Sequence, residues 1–494
     1  MPKLKGFDPH PDPIKVTIFH TNDMHGRLEA MARLSHFTRT LRTQAEQFGH
    51  KVLFWDAGDA ADRRIQISSI TKGTAFMTVM NAMDYQLQTM GNAIALPYGP
   101  QAIEAVAARA NFPILAANLR DGKGPLVPGV NEYVIQTLAG GFQYGVIGLT
   151  APWGDIYQVF DLHLPDFIEV ARSLVRKIRR SGVNIVIVLS HLGIEDDRRL
   201  ATEVKGIDLI IGAHSHHLLH TGEYRNGVLI TQAGEYAQHL GRVDMVIDST
   251  SGQIRDCQAR VLAIPVDESP DPIVLEAIQI AEQETQQVMA RPIGQLHSEM
   301  DVDHYAECGI GSLAADILRV RLNADIGMVA SGQFHHGLPA GEVTLGDLDK
   351  ACFSSANPCL TVVSGAQISA ALERGLDPEL YKHMLHSFRG TPVGIPQISG
   401  MQVWYDPNQE YGARVRQVLV GDEPLQSDQT YRLAHTDAET MGEWGYLELA
   451  ENQTSEHEVP TILREAIAEY ISQNSPVFTP EIGRYQVSSD DDSR

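Results

Sequence analysis

The stretch IKVTIFHTNDMHG, residues 14–26, begins as an apolar run and ends in polar groups. Its first seven residues have the β-branched and aromatic composition of a buried strand. Asp23 and His25 follow soon afterwards, two residues apart. A carboxylate and an imidazole just past the end of a strand are groups that can bind a metal ion. The stretch therefore predicts a strand of a central sheet and part of a site at its carboxyl end.

The same arrangement recurs along the first half of the chain. Apolar strand candidates alternate with amphipathic helical segments, which predicts an α/β layered domain. A helix is expected around residues 32–48, where Leu34, Phe37 and Leu41 recur at helical spacing. The strand candidates are residues 14–20, 52–58, 85–91, 112–118, 144–150, 184–190 and 207–213.

Nearly every chemically interesting polar side chain in this half lies just past the end of one of these strands. In open α/β sheets, that edge is where ligands bind. Each side chain alone has an ordinary explanation, such as a helix cap or a loop hydrogen bond. Together they offer oxygen and imidazole ligands without a cysteine, which predicts a site for Mn, Zn, Fe or Co. The set is Asp23, His25, Asp59, Asn92, His191, His214 and His216.

Composition restricts the class of protein. A chain of 494 residues is long enough for two or more domains. With 39 Lys and Arg against 62 Asp and Glu, its formal charge is −23. That charge argues against non-specific binding to nucleic acid or to an anionic membrane, although a metal ion can supply positive charge for a phosphate substrate. The four cysteines form no CxxC pair and no apolar run could span a bilayer, so we expect a cytoplasmic protein with reduced thiols.

A domain boundary is predicted near residue 265, where IPVDESPDP combines three prolines with three acids. The helical pattern that follows, residues 273–290, is interpreted as a connector to a second domain. That domain has a helix pattern at 310–321 and strand patterns at 360–365, 401–406 and 430–436. The expected division is a catalytic domain at 12–265, a linker helix at 266–290, a second domain at 291–485 and a disordered acidic tail at 486–494.

The motifs resemble a known family. FHTNDMHGRLE, DAGDAADR, MGN, LSHLG, GAHSHH and QAGEYAQHLGRVD are similar, in order and spacing, to the calcineurin-like metallophosphoesterase domain of the 5′-nucleotidase family. GSLAADILR, LTVVSGAQISAALE and YRLAHTDAETMGEWGY resemble its C-terminal substrate-binding domain. The resemblance covers nearly the whole chain, extends to a bacterial cytoplasmic branch of bifunctional metallophosphatase/5′-nucleotidases, and implies a β-sandwich flanked by helices, a linker helix and an α+β domain.

The resemblance also implies two adjacent divalent ions. Asp23, His25, Asp59 and His216 would hold the first ion, and Asp59, Asn92, His191 and His214 would hold the second. Asp59 would bridge the two. The implied reaction is hydrolysis of a small phosphoester, most simply a nucleotide, by direct attack of a metal-activated water. Glu235 and Tyr236 are expected to support the site from outside this set.

The chain departs from the family pattern directly after Asn92. Ala93 stands where the family has a histidine that stabilises the transition state, and Leu96 stands where it has the aspartate that orients this histidine. Losing one such donor costs on the order of 10²–10³ in rate, and the contribution of the metals is retained. Arg63 is a candidate replacement, because guanidinium matches phosphate oxygens; it could equally be a surface arginine. His217, next to His216, is a second candidate.

The second domain departs from the pattern too. The family's substrate-contacting arginine is absent from ASGQFHHG, and Ala438 and Trp444 occupy the segment that usually supplies a base-stacking aromatic. Phe353 offers an aromatic ring at a shifted position. Phe388 and Arg389, in HSFRGTPVG, could hold a base and a phosphate, unless this segment is only a turn. Such stacking is worth about 1–3 kcal/mol per base, so these residues are the candidates for substrate selectivity.

Three functions follow from these observations. The first is a 5′-nucleotidase-type phosphatase. The second is a phosphodiesterase or pyrophosphatase that acts on dinucleotides or nucleotide sugars with the same metals. The third is a nucleotide-binding protein that turns over little or nothing, which the absent His–Asp pair favours and the intact ligand set disfavours.

Overall fold

The structure, a computed structural model, describes residues 12–488 except 123, 380–392, 441–444 and 451–453. The chain divides into two compact units, the first ending at Thr285 and the second beginning at Gln286.

Two sheets form the centre of the first unit, and all seven strand candidates are confirmed within them. The larger sheet has the strand order Ile254–Ala263, His239–Ile247, Ile14–Thr21, Lys51–Asp56, Leu87–Thr89, Ile114–Leu115 and Val130–Asn131. The smaller sheet has the order Glu223–Arg225, Val228–Thr231, Leu209–Ile211, Ile185–Ser190, Gln143–Leu149 and Tyr133–Thr137. Arg120–Asp121 pairs separately with Leu162–His163.

The two sheets stack because side chains alternate along each strand. In the first strand, Val16 and Ile18 pack into the core that both sheets share, whereas Phe19 packs among the outer helices. The sheets approach each other closely at residue 148. A Cβ on Gly148 would lie 2.1 Å from the Cβ of Leu115, so the glycine is required for this approach.

Helices cover the outer faces of both sheets. The predicted helix near the N-terminus spans Leu28–Gln47. The others in this unit are Gln66–Thr71, Phe76–Ala82, Asn92–Arg109, Gly154–Tyr157, Phe167–Arg180, Ile194–Glu203 and Pro272–Met289, with 3₁₀ turns at Ala139–Gly141 and Gln158–Phe160. The first unit is therefore a β-sandwich flanked by helices, as expected.

The predicted connector helix spans Pro272–Met289. Val274 and Ala281 are buried in the core of the first unit, and Arg109 donates a hydrogen bond of 2.6 Å to Glu284. Most of this helix therefore belongs to the first unit.

The second unit is α+β. Its five-stranded sheet has the order Pro396–Ser399, Ile326–Ala330, Thr430–Thr436, Pro358–Ser364 and Ser455–His457, and its four-stranded sheet has the order Glu423–Pro424, Val415–Val420, Met401–Tyr405 and Tyr485–Val487. Pro292–Leu296 pairs with Gly341–Thr344. The helices are Gly309–Arg321, Leu345–Ala351, Gly365–Gly375, Leu447–Ala450 and Leu463–Asn474, with 3₁₀ turns at Ser331–Gln333 and Asp437–Thr440.

The boundary of the predicted C-terminal tail differs from the expectation. Residues 486 and 487 belong to the last strand, in which Gln486 lies opposite Trp404 and Val487 opposite Tyr405. The segment is ordered by pairing with a distant strand, and its own composition does not indicate this.

Disulfides and membrane-spanning helices were both considered in the sequence, and the structure bears on each. None of the four cysteines, all of which the structure describes, forms a disulfide. Within the described residues, no helix combines the length and apolarity needed to cross a bilayer. The cytoplasmic location stays a prediction.

Parallel pairing brings several strand ends to one edge of the first unit. Ile14–Thr21, Lys51–Asp56 and Leu87–Thr89 are parallel neighbours in the larger sheet. In the smaller sheet, Ile185–Ser190 lies parallel to both Gln143–Leu149 and Leu209–Ile211. The loops after these strands carry the predicted metal ligands.

A buried acid lies behind one of these strand ends. Asp197, in the helix Ile194–Glu203, is fully buried and accepts a hydrogen bond from Ser190 Oγ. Burial raises the pKa of Asp197 to about 8, although the hydrogen bond opposes this shift.

We expect Asp197→Asn to reduce the pH dependence of stability. The folded-state pKa lies above 3.8, the ordinary value of an aspartate, so the stability from the neutral acid is fully present below that value and is lost as pH rises through about 8. Across this window, chemical denaturation should show the free energy of unfolding of the wild type falling relative to that of Asp197→Asn. Glu195→Gln, exposed on the same helix, is the control. Parallel pH profiles for wild type and Asp197→Asn would contradict the expectation.

Candidate metal centre

Six of the seven predicted ligands form two groups. In each group, one potential ligand atom from each of three residues lies within 4.8 Å of the others. The first group is Asp23, His25 and His216, and the second is Asp59, His191 and His214. The seventh predicted ligand, Asn92, lies between Gly91 and Ala93, and the Ala93 N–H donates a hydrogen bond of 2.8 Å to Asp59 Oδ1.

In the first group, one carboxylate oxygen and two imidazole nitrogens can converge on one cation. His216 Nε2 lies 3.4 Å from Asp23 Oδ1 and 3.2 Å from His25 Nε2. The other oxygen of Asp23 accepts hydrogen bonds from Asn22 Nδ2 and from the His214 N–H, both at 2.8 Å. Oδ1 of Asp23 is therefore the oxygen that remains for a metal ion.

Carboxylates lie beside Nδ1 of both histidines of this group, and that of Glu235 is within hydrogen-bonding distance. His216 Nδ1 lies 2.6 Å from Glu235 Oε2, and His25 Nδ1 lies 3.6 Å from Asp62 Oδ2. A carboxylate favours the proton on Nδ1, so each Nε2 is left with a lone pair for a metal. The contact between Glu235 and His216 is consistent with the expectation that Glu235 supports the site from outside the ligand set.

In the second group, the backbone orients His191. Its Nδ1 donates a hydrogen bond of 2.8 Å to the carbonyl oxygen of Ala57, so Nε2 is the nitrogen that can bind a metal once its proton is displaced. That Nε2 lies 3.3 Å from Asp59 Oδ2. The ring centroids of His191 and His214 are 5.1 Å apart.

Several ligand atoms are buried without a hydrogen-bond partner. They are Asp23 Oδ1, Asn92 Oδ1 and His191 Nε2. Buried polar atoms normally find a partner, and each exception needs an explanation. Divalent cations at the two groups would satisfy all three atoms, so the residues present fit the metal ions that the sequence predicted.

The second group is also electrostatically prepared for positive charge. Burial opposes the charged forms of both Asp59 and His191, but their mutual attraction prevails, so the pKa of Asp59 is lowered and that of His191 is raised to about 9. A metal ion must displace the proton on His191, and metal affinity should therefore fall as pH falls.

Five of the seven predicted ligands have backbone conformations that side chains rarely adopt. A positive φ at a non-glycine residue costs on the order of 1–3 kcal/mol and persists only where the surroundings enforce it. The five φ values are 49° at Asp23, 47° at His25, 54° at Asp59, 72° at His214 and 56° at His216.

Backbone hydrogen bonds enforce part of this geometry. The N–H groups of Asp23, His25 and Gly26 donate to the carbonyl oxygens of Gly58, Asp59 and Ala60, at 2.9, 3.0 and 2.7 Å. The loop after the first strand is thus bonded to the loop after the second, and ligands from both are held together.

Two glycines are required for close approach in the second group. A Cβ at Gly58 would lie 2.6 Å from His191 Nδ1, and a Cβ at Gly91 would lie 2.0 Å from Asp59 Oδ1. The glycine of the GN motif therefore leaves room for the carboxylate of Asp59.

Three further residues near the centre were not singled out in the sequence. Asp62 lies near His25, as described. Its position three residues after Asp59 is the feature of the sequence that could have placed it near the site. The Arg27 guanidinium lies 4.5 Å from the ring centroid of Tyr236, which is itself 5.9 Å from the His25 ring. Trp153 lies edge-on to His214, with ring centroids 5.5 Å apart; it follows a strand end, as the ligands do.

The proposed replacements for the family dyad lie at the surface. Arg63 is exposed, and within the described part of the chain no hydrogen bond or ion pair joins it to a ligand. His217 is also exposed, and its Nδ1 lies 3.0 Å from Ser215 Oγ. Ala93 contributes its backbone N–H to Asp59, and Leu96 packs against the core of the first unit. A role for Arg63 in binding phosphate oxygens, or for His217 as an acid, stays a prediction.

The predicted substrate residues of the second unit are described only in part. Phe388, Arg389 and Trp444 lie outside the described residues. Phe353 is half-buried, and its ring centroid lies 3.9 Å from that of the exposed His335.

Residues 16–218 match the calcineurin-like phosphoesterase model, and residues 288–451 match the 5′-nucleotidase, C-terminal domain model. The chain belongs to the calcineurin-like metallophosphoesterases of the 5′-nucleotidase family. It is a phosphoester hydrolase, and metal ions are part of its chemistry. Both halves of the resemblance in the sequence are thereby confirmed.

Relatives and solved structures agree with this family. The uncharacterized metallophosphoesterase YunD of Bacillus subtilis is 26% identical over 93% of this chain and 99% of its own length. A snake venom 5′-nucleotidase of Crotalus adamanteus is 24% identical over 95% of this chain and 88% of its own. The structure of Haemophilus influenzae NAD nucleotidase shares the fold, with a TM-score of 0.63, 16% identity and coverage of 97% of this chain and 100% of that one.

We expect Glu235→Gln to lower the metal affinity of the first group by roughly 10–100-fold, because the ring of His216 loses the carboxylate that holds its Nδ1 proton. Titration of the metal-free protein with Mn²⁺ measures the effect. Asp62→Asn is the matched comparison and should have a smaller effect, since its contact with His25 is longer. Equal affinities for wild type and Glu235→Gln would contradict this role for the carboxylate.

Proposed function

We propose that this hydrolase releases phosphate from nucleotides or related small phosphomonoesters and uses two divalent ions to do so. The observation that carries the proposal is the pair of ligand groups at one sheet edge, together with the buried ligand atoms that lack partners. Bound there, divalent ions would polarise phosphoryl oxygens and lower the pKa of water enough to make it a nucleophile near pH 7. Nucleotides are proposed as substrates because named 5′-nucleotidases are among the relatives.

The ligand assignment follows the two groups. Asp23, His25 and His216 would hold one ion, and His191, His214 and Asn92 would hold the other. Asp59 is proposed to bridge the ions: its Oδ2 faces His191, and its backbone carbonyl is bonded to the His25 N–H of the other group.

The chain's own residues would do three further things. The Ala57 carbonyl and the Glu235 carboxylate hold His191 and His216 in the tautomers that bind metal. The Ala93 N–H holds one oxygen of Asp59. The positive charge needed by a phosphate would come from the ions, together with Arg27 beside Tyr236.

The proposal is tested with purified protein, Mn²⁺ and four substrates: a 5′-mononucleotide, phenyl phosphate, a dinucleotide and a nucleotide sugar. Turnover of the first two supports the proposal. Preference for the last two would instead favour the phosphodiesterase or pyrophosphatase alternative. Absence of turnover with both ions bound would contradict the proposal altogether.

The bridging role predicts a difference between two variants. Asp59→Asn should abolish turnover and reduce the occupancy of both ions, because each group would lose a charged ligand. His191→Ala should empty the second group and spare the first. Metal content per protein, measured on the purified variants, checks both. Full turnover with both ions retained in Asp59→Asn would refute the assignment.

Ala93→His tests whether the absent histidine limits the rate. The new ring would enter the helix just after Asn92, where a positioned donor can contribute on the order of 10²–10³ in rate. We expect turnover of phenyl phosphate to rise or to stay level, according to whether the local spacing lets the ring reach the phosphoryl group. A large drop with metal content unchanged would show that this helix start has another role.

A further inference from the structure

An exposed apolar surface lies beside the second ligand group. Trp153, Ile156 and Val159 are 42%, 45% and 47% exposed, and all three follow the strand Gln143–Leu149. We call these three residues the 153–159 surface. Large apolar side chains that cluster in the open mark binding sites more often than scattered ones do.

The surface begins at the metal centre itself. The indole of Trp153 and the imidazole of His214 form a T-shaped pair, with ring centroids 5.5 Å apart and an interplanar angle of 72°. The nearest part of the surface is therefore one ring away from a predicted metal ligand. A phosphoester whose phosphate is at the centre would have its leaving group within reach of this indole.

Hydrogen bonds and a buried ring hold residues 150–157 in place. The Asn118 side chain donates to the Thr150 carbonyl and accepts from the Thr150 N–H, both at 2.9 Å. The Tyr157 N–H donates to the Trp153 carbonyl at 3.2 Å, and the ring of Tyr157 is fully buried. The side chain of Trp153 is therefore exposed although the segment that carries it is packed and hydrogen-bonded.

The segment also contacts the helix that lacks the family dyad. A Cβ at Gly99 would lie 2.5 Å from Cδ1 of Phe160, so this helix is in close contact with the 3₁₀ turn Gln158–Phe160, which contains Val159. Leu96 and Phe160 both pack against the same core. Where the family places an acid–base pair, this chain has apolar packing that supports the segment carrying Trp153.

We propose that Trp153 binds the leaving group of the substrate and selects for a planar aromatic one, either an aryl ring or a nucleobase. An indole offers a large π face, and stacking on such a face is tolerant of the identity of the ring. The side chains of Trp153, Ile156 and Val159 are uncharged and larger than a short aliphatic group, so they offer little to a short aliphatic or polyphosphate group. This inference rests on the proposed phosphomonoester hydrolysis and adds a preference for the kind of leaving group.

Binding of two phosphonates that cannot be hydrolysed tests the inference directly. Metal-loaded wild type, Trp153→Ala and Trp153→Phe are titrated with phenylphosphonate and methylphosphonate by calorimetry. We expect Trp153→Ala to weaken phenylphosphonate binding by roughly tenfold, the size of one ring stack, and to leave methylphosphonate unchanged. Trp153→Phe should restore most of the affinity for phenylphosphonate, because it keeps a ring.

The control variants distinguish a ligand-binding role of Trp153 from a structural one. Ile156→Ala removes an exposed apolar side chain farther along the same surface and should have a smaller effect on phenylphosphonate. Metal content should be unchanged in every variant. Equal weakening of both phosphonates, or loss of metal from Trp153→Ala, would show that Trp153 only supports His214, and this would overturn the inference.

Turnover distinguishes this inference from the proposed function. If the wild type hydrolyses phenyl phosphate and ethyl phosphate, Trp153→Ala should raise KM for the phenyl ester alone. An equal rise for both esters overturns the role of Trp153 and leaves the proposed function intact. If the wild type hydrolyses neither ester, the proposed function fails, and the phosphonate comparison still decides whether Trp153 binds planar groups.

Discussion

Three backbone hydrogen bonds join the loop after the first strand to the loop after the second, and the candidate metal centre depends on them. They place Asp23 and His25 beside Asp59, although these ligands come from different turns of the chain. The glycines at 58 and 91 keep the space around Asp59 and His191 free of Cβ atoms. The backbone of the two loops therefore brings the ligand side chains close to one another.

Much of this arrangement could be predicted from the sequence. The strands are continuous apolar runs, and parallel strands leave their following loops at one edge, so the spacing of Asp23 and His25 was informative. Contacts between distant segments could not be predicted. The carboxylate of Asp62 approaches His25 only after the loops meet. The strand Tyr485–Val487 is only three residues long and directly precedes a polar, acidic run, so it is recognised only by its pairing with Met401–Tyr405.

The absent His–Asp pair changes how recognition is distributed. Ala93 keeps a backbone role beside Asp59, and the rest of its helix packs with the segment that carries Trp153. The metal centre would recognise the phosphate, and an apolar surface next to it would recognise what the phosphate is attached to. Whether Phe353 adds to this recognition depends on the second unit, where its ring lies against that of His335.

The positive φ angles of five predicted ligand residues have a consequence for engineering. At Asp23, His25, Asp59, His214 and His216, glycine would adopt the observed φ without strain, and at Asp23 it would also remove a buried oxygen that lacks a partner. A library selected for heat resistance in chelating buffer would therefore accumulate glycine at the ligand positions and lose catalysis as it gained robustness. Directed evolution of this protein should include the ions in every round of selection, because only their presence opposes this drift.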